Sequence, residues 1–184
     1  MEWVAHLAAT FLTEERDHAG AAILGNKLCV LGGRERGQRN MKGTGFLLDF
    51  GHLGRGWRVS QGRMSTTRGV VTGTIGKHVF VFGGEGSVAD GLDGIYNETE
   101  VFNTRTEKWK KLEPMDVPRQ GGSAVAVGNR IYVPGGGLGE DGSPVNIFDV
   151  YRPSCQSRHA NLRLLPCVAL RGLSYLKPNS RRGS

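Results

Sequence analysis

One nine-residue segment occurs three times in this chain, at offsets of 51 and 52 residues. Gly25-Asn26-Lys27-Leu28-Cys29-Val30-Leu31-Gly32-Gly33 returns as Gly76-Lys77-His78-Val79-Phe80-Val81-Phe82-Gly83-Gly84. It returns again as Gly128-Asn129-Arg130-Ile131-Tyr132-Val133-Pro134-Gly135-Gly136. Each copy reads as a turn, a short apolar strand and a glycine pair. A unit of this size cannot bury its apolar face alone, so neighbouring copies must stack to make a core. The period therefore fixes an architecture, and it leaves the activity open.

Around that segment each unit reads as four strands. The first strands are expected over 19–24, 69–75 and 123–127, the second over 27–31, 78–82 and 130–133. Third strands follow over 44–50, 99–103 and 145–150. A fourth strand starts at Trp57 and at Trp109, and Trp3 lies 54 residues before Trp57, in the register of an earlier fourth strand. The Gly-Asn and Gly-Lys turns suit two-residue hairpins, because Gly and Asn tolerate positive φ. The glycine pair allows backbones to approach where a Cβ would clash. The Trp rings are expected to fill gaps between neighbouring sheets rather than to stack on a ligand.

An Arg precedes each first strand (Arg16, Arg68, Arg119), and a Trp closes the first two units. The run Glu100-Val101-Phe102-Asn103-Thr104-Arg105-Thr106-Glu107-Lys108-Trp109, followed by Leu112-Glu113-Pro114-Met115, carries the fullest version. This pattern resembles the kelch repeat, the family that also includes galactose-oxidase-type central propeller domains. The resemblance covers residues 3–151. It implies an all-β fold, a kelch-type β-propeller of four-stranded blades. Family members close with six or seven blades, sometimes fewer or more, so this chain holds an incomplete ring.

The pattern stops after Tyr151. Residues 152–184 carry seven basic side chains and no Asp or Glu, which leaves 17 of the 24 Lys and Arg against all 17 acidic residues in 1–151. The net charge of +7 thus sits wholly in the tail, and a nucleic-acid reading of the repeat region would be an error of averaging. The expected division is a kelch region over 1–151 and a disordered basic tail over 152–184. Three arrangements relieve the open ring. The chain is a piece of a longer propeller, or two chains form a homodimer that closes a six-bladed ring, or the tail replaces a blade. An uncovered blade otherwise exposes a sheet edge and an apolar face.

The remaining signals exclude chemistry more than they suggest it. Gly137-Leu138-Gly139-Glu140-Asp141-Gly142 fits a dinucleotide fingerprint, but a strand follows where a helix N-terminus must hold the pyrophosphate. Cys29 shares its repeat position with Phe80 and Tyr132 and reads as a buried hydrophobe. Cys155, His159 and Cys167 lack zinc spacing and a fourth ligand. No residue matches the copper ligands that the galactose-oxidase resemblance would bring, and no catalytic set, metal site or cofactor is expected. The N-terminus lacks a secretion signal and no apolar run is long enough for a membrane helix, so the expected location is cytoplasmic. The sequon at Asn97 is then read as chance.

A non-catalytic protein-interaction scaffold is the preferred function, with a protein or peptide partner. The alternative is a galactose-oxidase-like or sugar-modifying propeller enzyme whose catalytic parts lie outside this chain. The loops joining strands two to three and four to one share one face. That face carries a basic loop with Arg34, Arg36 and Arg39, an acidic loop over 85–94, and the strand-entrance arginines Arg16, Arg68 and Arg119. Arginine grips carboxylates bidentately, which suits peptide recognition. The competing role for these charges is structural: solvating the loops, or bracing the strand entrance.

Overall fold

The structure is a computed structural model that describes residues 11–36, 40–86, 94–139 and 143–153. Trp3, Arg39, most of the acidic loop and the basic tail, with Cys155, His159 and Cys167, lie outside the described residues. The described residues form three antiparallel sheets, taken here as blades 1 to 3. Blade 1 comprises β1 (Gly20–Leu24), β2 (Lys27–Leu31), β3 (Gly45–Asp49) and β4 (Arg58–Val59) in that spatial order. Blade 2 repeats the order with β5 (Val71–Ile75), β6 (His78–Glu85), β7 (Ile95–Asn103) and β8 (Lys108–Lys111). Blade 3 holds three strands, β9 (Val125–Val127), β10 (Arg130–Pro134) and β11 (Phe148–Tyr151).

The repeat register holds residue by residue. Cys29 pairs with Ala22 and Leu47, Phe80 with Gly73 and Val101, and Tyr132 with Val125 and Val150. The hairpins at Gly25, Gly76 and Gly128 put positive φ on the glycine alone, at 56°, 60° and 58°. The residue after it does not share that conformation, the pattern of a tight turn with glycine at its first central position. The third strands depart most from expectation. β7 starts at Ile95, four residues early, and a bulge at Phe82/Gly84 absorbs the change of register. β11 starts at Phe148 instead of residue 145.

Side chains alternate across each strand, so every blade has two faces. One face of blade 1 and the opposing face of blade 2 share a core of Ala22, Cys29, Leu31, Leu47, Val79, Val81 and Phe102. Trp109 packs against this core, its ring 4.9 Å from that of Phe102, as expected for a gap-filling indole. The other face of blade 2 meets blade 3 through Phe80, Phe82, Ile131 and Val133, with Tyr151 tilted against both Phe rings. Burying a side chain such as Ile131 fully contributes about 1.5–3 kcal/mol. Cys29 is fully buried in the first seam, and burial pushes its thiol up to about 11, so it is a packing residue.

The glycine pairs join one blade to the next. Gly33 N donates to the Arg68 carbonyl at 2.9 Å, and Gly84 N donates to the Arg119 carbonyl at 2.8 Å. A Cβ at Gly32 or Gly83 would lie 2.5 Å from those same oxygens. Only glycine permits this approach, and each glycine also holds positive φ.

Candidate functional site

The loop face lies at the glycine-pair ends of the blades, and the six arginines expected there divide into three groups. Arg16, Arg68 and Arg119 are spent inside the protein. The Arg68 guanidinium donates to the Gly83 carbonyl at 2.8 Å and to Glu100 Oε2 at 3.0 Å, with Thr66 alongside. Both members of the Arg68–Glu100 pair are buried, and Glu100 also accepts from Ser65 N at 3.0 Å. Arg119 repeats the arrangement on the Gly135 carbonyl and Asp149. Arg16 has no acid at the equivalent site. It lies 4.8 Å above the Phe46 ring and donates to Thr44 Oγ1 at 2.8 Å. All three side chains are buried, so the bracing role is the one their contacts support, and they offer no exposed guanidinium to a partner.

Arg34 forms the second group. It donates to Asp17 Oδ1 at 2.8 Å and lies 3.3 Å from Glu85 Oε1, with His18 Nε2 at 3.2 Å from its other nitrogen. His18 in turn lies 3.2 Å from Asp17 and 3.5 Å from Glu85. The basic and acidic loops are therefore tied together at their bases across the first seam. Arg36 is the third group. Its side chain is 78 % exposed and paired with Glu15 at 3.0 Å. The hydrogen bond and charge of Glu15 hold the Arg36 pKa above its ordinary value. Arg39 lies outside the described residues.

Beside this cluster, a cleft of about 220 Å³ opens where the first-strand entrances of the three blades converge. His18, Gly69, Glu85, Gln120 and Gly121 line it. A larger open concavity of about 570 Å³ lies at the opposite, hairpin end, between Lys27, Asp49, His52, Lys77 and Arg105. Among the described residues no group of three or more His, Cys, Asp or Glu is placed to hold a metal ion, and no helix is long and apolar enough to cross a membrane.

Sequence reasoning missed Glu100, Asp149, His18 and the hairpin-end concavity. The first two had a signal. An acidic residue stands mid-strand at the same repeat position in blades 2 and 3, thirty-odd residues after its arginine, where an apolar residue is otherwise expected. His18 had none, because its partners come from three separate segments.

Four-stranded blades joined through glycine pairs define the β-propeller class of repeat. The kelch motif matches residues 66–116, which span β5 to β8 and the loop beyond. The chain is 32% identical over 143 residues, 77% of its length, to the kelch-like protein terF of Aspergillus terreus. It is 32% identical over 91 residues to an F-box/kelch-repeat protein of Arabidopsis thaliana and 37% identical over 60 residues to kelch-like protein 21 of Danio rerio. This is a kelch-repeat protein, and its described residues form three blades. The alignments span 30%, 23% and 10% of those relatives' own lengths.

Proposed function

We propose that the chain is a non-catalytic, cytoplasmic interaction module that holds a protein or peptide partner at its loop face. The observation that carries this reading is the contrast within that face. The entrance arginines are locked into the blades, and they support an outer layer in which Arg36 and the His18–Glu85 cleft remain accessible. A rigid scaffold that displays variable charged loops is the usual setting for recognition. Arg36, with Arg39 beside it in sequence, is the group offered to a carboxylate on the partner. We infer further that these blades act within a larger propeller, completed by further blades or by another chain.

The test compares proteins retained by the purified chain with those retained by Arg36→Glu/Arg39→Glu. A hairpin-end variant, Lys27→Glu/Lys77→Glu, serves as the control. Loss of the same partner from the first variant only is the expected result. An unchanged partner set would remove the loop-face reading. A copper- or sugar-dependent rise in melting temperature of the chain would replace it with the enzyme-type alternative.

A further inference from the structure

We propose that the hairpin-end concavity between blades 1 and 2 is a binding site for a phosphate monoester, held by Lys27, Lys77 and Arg105. The site is separate from the loop face and does not depend on what that face binds.

Lys27, Lys77 and Arg105 are the Lys and Arg side chains that line this hollow of about 570 Å³. Lys27 begins β2, Lys77 sits in the β5–β6 hairpin, and Arg105 lies in the turn from β7 to β8. Two adjacent blades must therefore meet before the three charges share one hollow, and both blades lie within the described residues. The turns that carry the charges are held by the blades themselves. Thr104 donates to the Lys77 carbonyl through its N at 3.2 Å and its Oγ1 at 3.1 Å. In blade 1 the equivalent tie runs from Phe50 N to the Asn26 carbonyl at 2.7 Å. Asn103 Oδ1 accepts from Arg105 N at 3.0 Å and from Thr106 N at 3.2 Å. The backbone beneath the cations is fixed before a ligand arrives, which lowers the cost of binding.

The charge of the hollow is unbalanced. On the loop face Arg16, Arg34, Arg36, Arg68 and Arg119 each engage an acid. Among the described residues no hydrogen bond or ion pair engages the Lys27 ammonium, the Lys77 ammonium or the Arg105 guanidinium. Two carboxylates stand nearby, and both have partners. Asp49 lines the hollow, accepts from Gly51 N at 2.9 Å and lies 3.3 Å from His52 Nδ1. The Gly51 and His52 hydrogen bonds hold its pKa below the ordinary carboxylate range, so it counts as a full negative charge. Glu107, outside the lining, is paired with Arg58.

With His52 neutral, Lys27, Lys77 and Arg105 against Asp49 leave a surplus of two positive charges in the lining. A phosphate monoester carries about −1.5 to −2 at neutral pH and matches that surplus, and its three acceptor oxygens match the three donor groups. A single carboxylate would cancel only half of it. Ligand sites occupy about 300–1,000 Å³, so the hollow has room for the phosphate and for part of the molecule that bears it. A concave site of this kind suits a compact anion, whereas a membrane surface would call for a flat or convex basic face.

Isothermal titration calorimetry of the full chain at low ionic strength tests this, with glycerol 3-phosphate and N-acetylphosphoserine amide as the two probes. Saturable binding that weakens with added salt is expected. Tighter binding of the phosphoserine probe would assign a phosphorylated polypeptide as the source of the ester, and tighter binding of glycerol 3-phosphate a small phosphorylated molecule. Lys27→Gln/Lys77→Gln/Arg105→Gln should bind about tenfold or more weakly. None of the three residues is buried, so the β-sheet circular dichroism should be unchanged. Should the triple variant fail to fold, Lys77→Gln alone, at an exposed hairpin position, should weaken binding about two- to fivefold. Arg63→Gln/Lys110→Gln/Lys111→Gln removes as much charge at exposed residues outside the hollow and should leave binding within about twofold. Absence of saturable heat with both probes would overturn the proposal. So would binding that survives loss of the three lining cations, or equal weakening in the two triple variants. Retention on phosphatidylserine vesicles by a chain that titrates neither probe would place a membrane surface at this end and overturn it as well.

Discussion

Blade 2 is covered on both faces and blade 3 on one, although their first three strands pair in the same order with the same partners at matching repeat positions. Phe80 is buried and Tyr132 is half-buried; Ile75 packs into a seam and Val127 is 61 % exposed. The apolar character of a strand residue here records the neighbour it is built to meet. Burial in one chain records only whether that neighbour is present. The same contrast runs through the glycine pairs. A Cβ on Gly83 would lie 2.5 Å from a carbonyl of the next blade, whereas one on Gly135 would meet only the Val145 carbonyl of its own blade, at 3.6 Å.

The largest effect that would break this comparison is at the entrance arginines. Arg68→Leu leaves Glu100 buried and unpaired, which costs about 3–5 kcal/mol. Arg119→Leu strands Asp149, whose side chain is 45 % exposed and remains hydrated. It should cost about 1–3 kcal/mol, mostly through the hydrogen bonds lost at Gly135. Urea unfolding of the two variants side by side reads the difference. Equal losses would mean that blade 3 is sealed as blade 2 is.

Next comes the pair Gly83→Ala and Gly135→Ala, measured at dilutions where the chain is single. Both place a Cβ at positive φ, a cost of about 1 kcal/mol. Only Gly83→Ala also drives that Cβ against the Arg119 carbonyl, which adds about 1–3 kcal/mol. If the melting temperatures of the two variants fall equally, the carbonyl contact is not what keeps glycine at position 83.

The smallest effect concerns acid. Glu107 on blade 2 accepts from Arg58 on blade 1 and, at 2.9 Å, from Gln61 N. The Arg58 hydrogen bond lowers the Glu107 pKa, against the opposing effect of burial. A carboxyl depressed in the folded state contributes stability above its unfolded pKa, and that stability is lost as pH falls through the folded value. Relative to Glu107→Gln, the unmodified chain should therefore lose stability below about pH 4.5. Arg58 is half-exposed, so the loss is under about 1 kcal/mol. A pH-independent difference between the two would show that this pair does not hold the first seam.

The fold was legible because its information is local and repeated. Turn glycines, alternating apolar strands and glycine pairs recur at a fixed period, and nearly every strand appears within a few residues of where that period puts it. The candidate site was legible only as a face. The sequence shows six arginines and cannot show how far each guanidinium lies from an acid thirty residues away. Register alone places Glu100 beneath Arg68 and puts Phe46 at the matching place beneath Arg16. The seam of Asp17, His18, Arg34 and Glu85 arises from two blades meeting, so no single repeat encodes it.

By itself the amino-acid sequence determined the blade, its strand order and the glycine hinge between blades, because these depend on backbone freedom and side-chain alternation within about fifty residues. The tertiary structure alone decided which arginines are braces and which stands exposed, and which of three equivalent faces is left uncovered. Those properties depend on distances between segments far apart in the chain, and a linear pattern does not contain them.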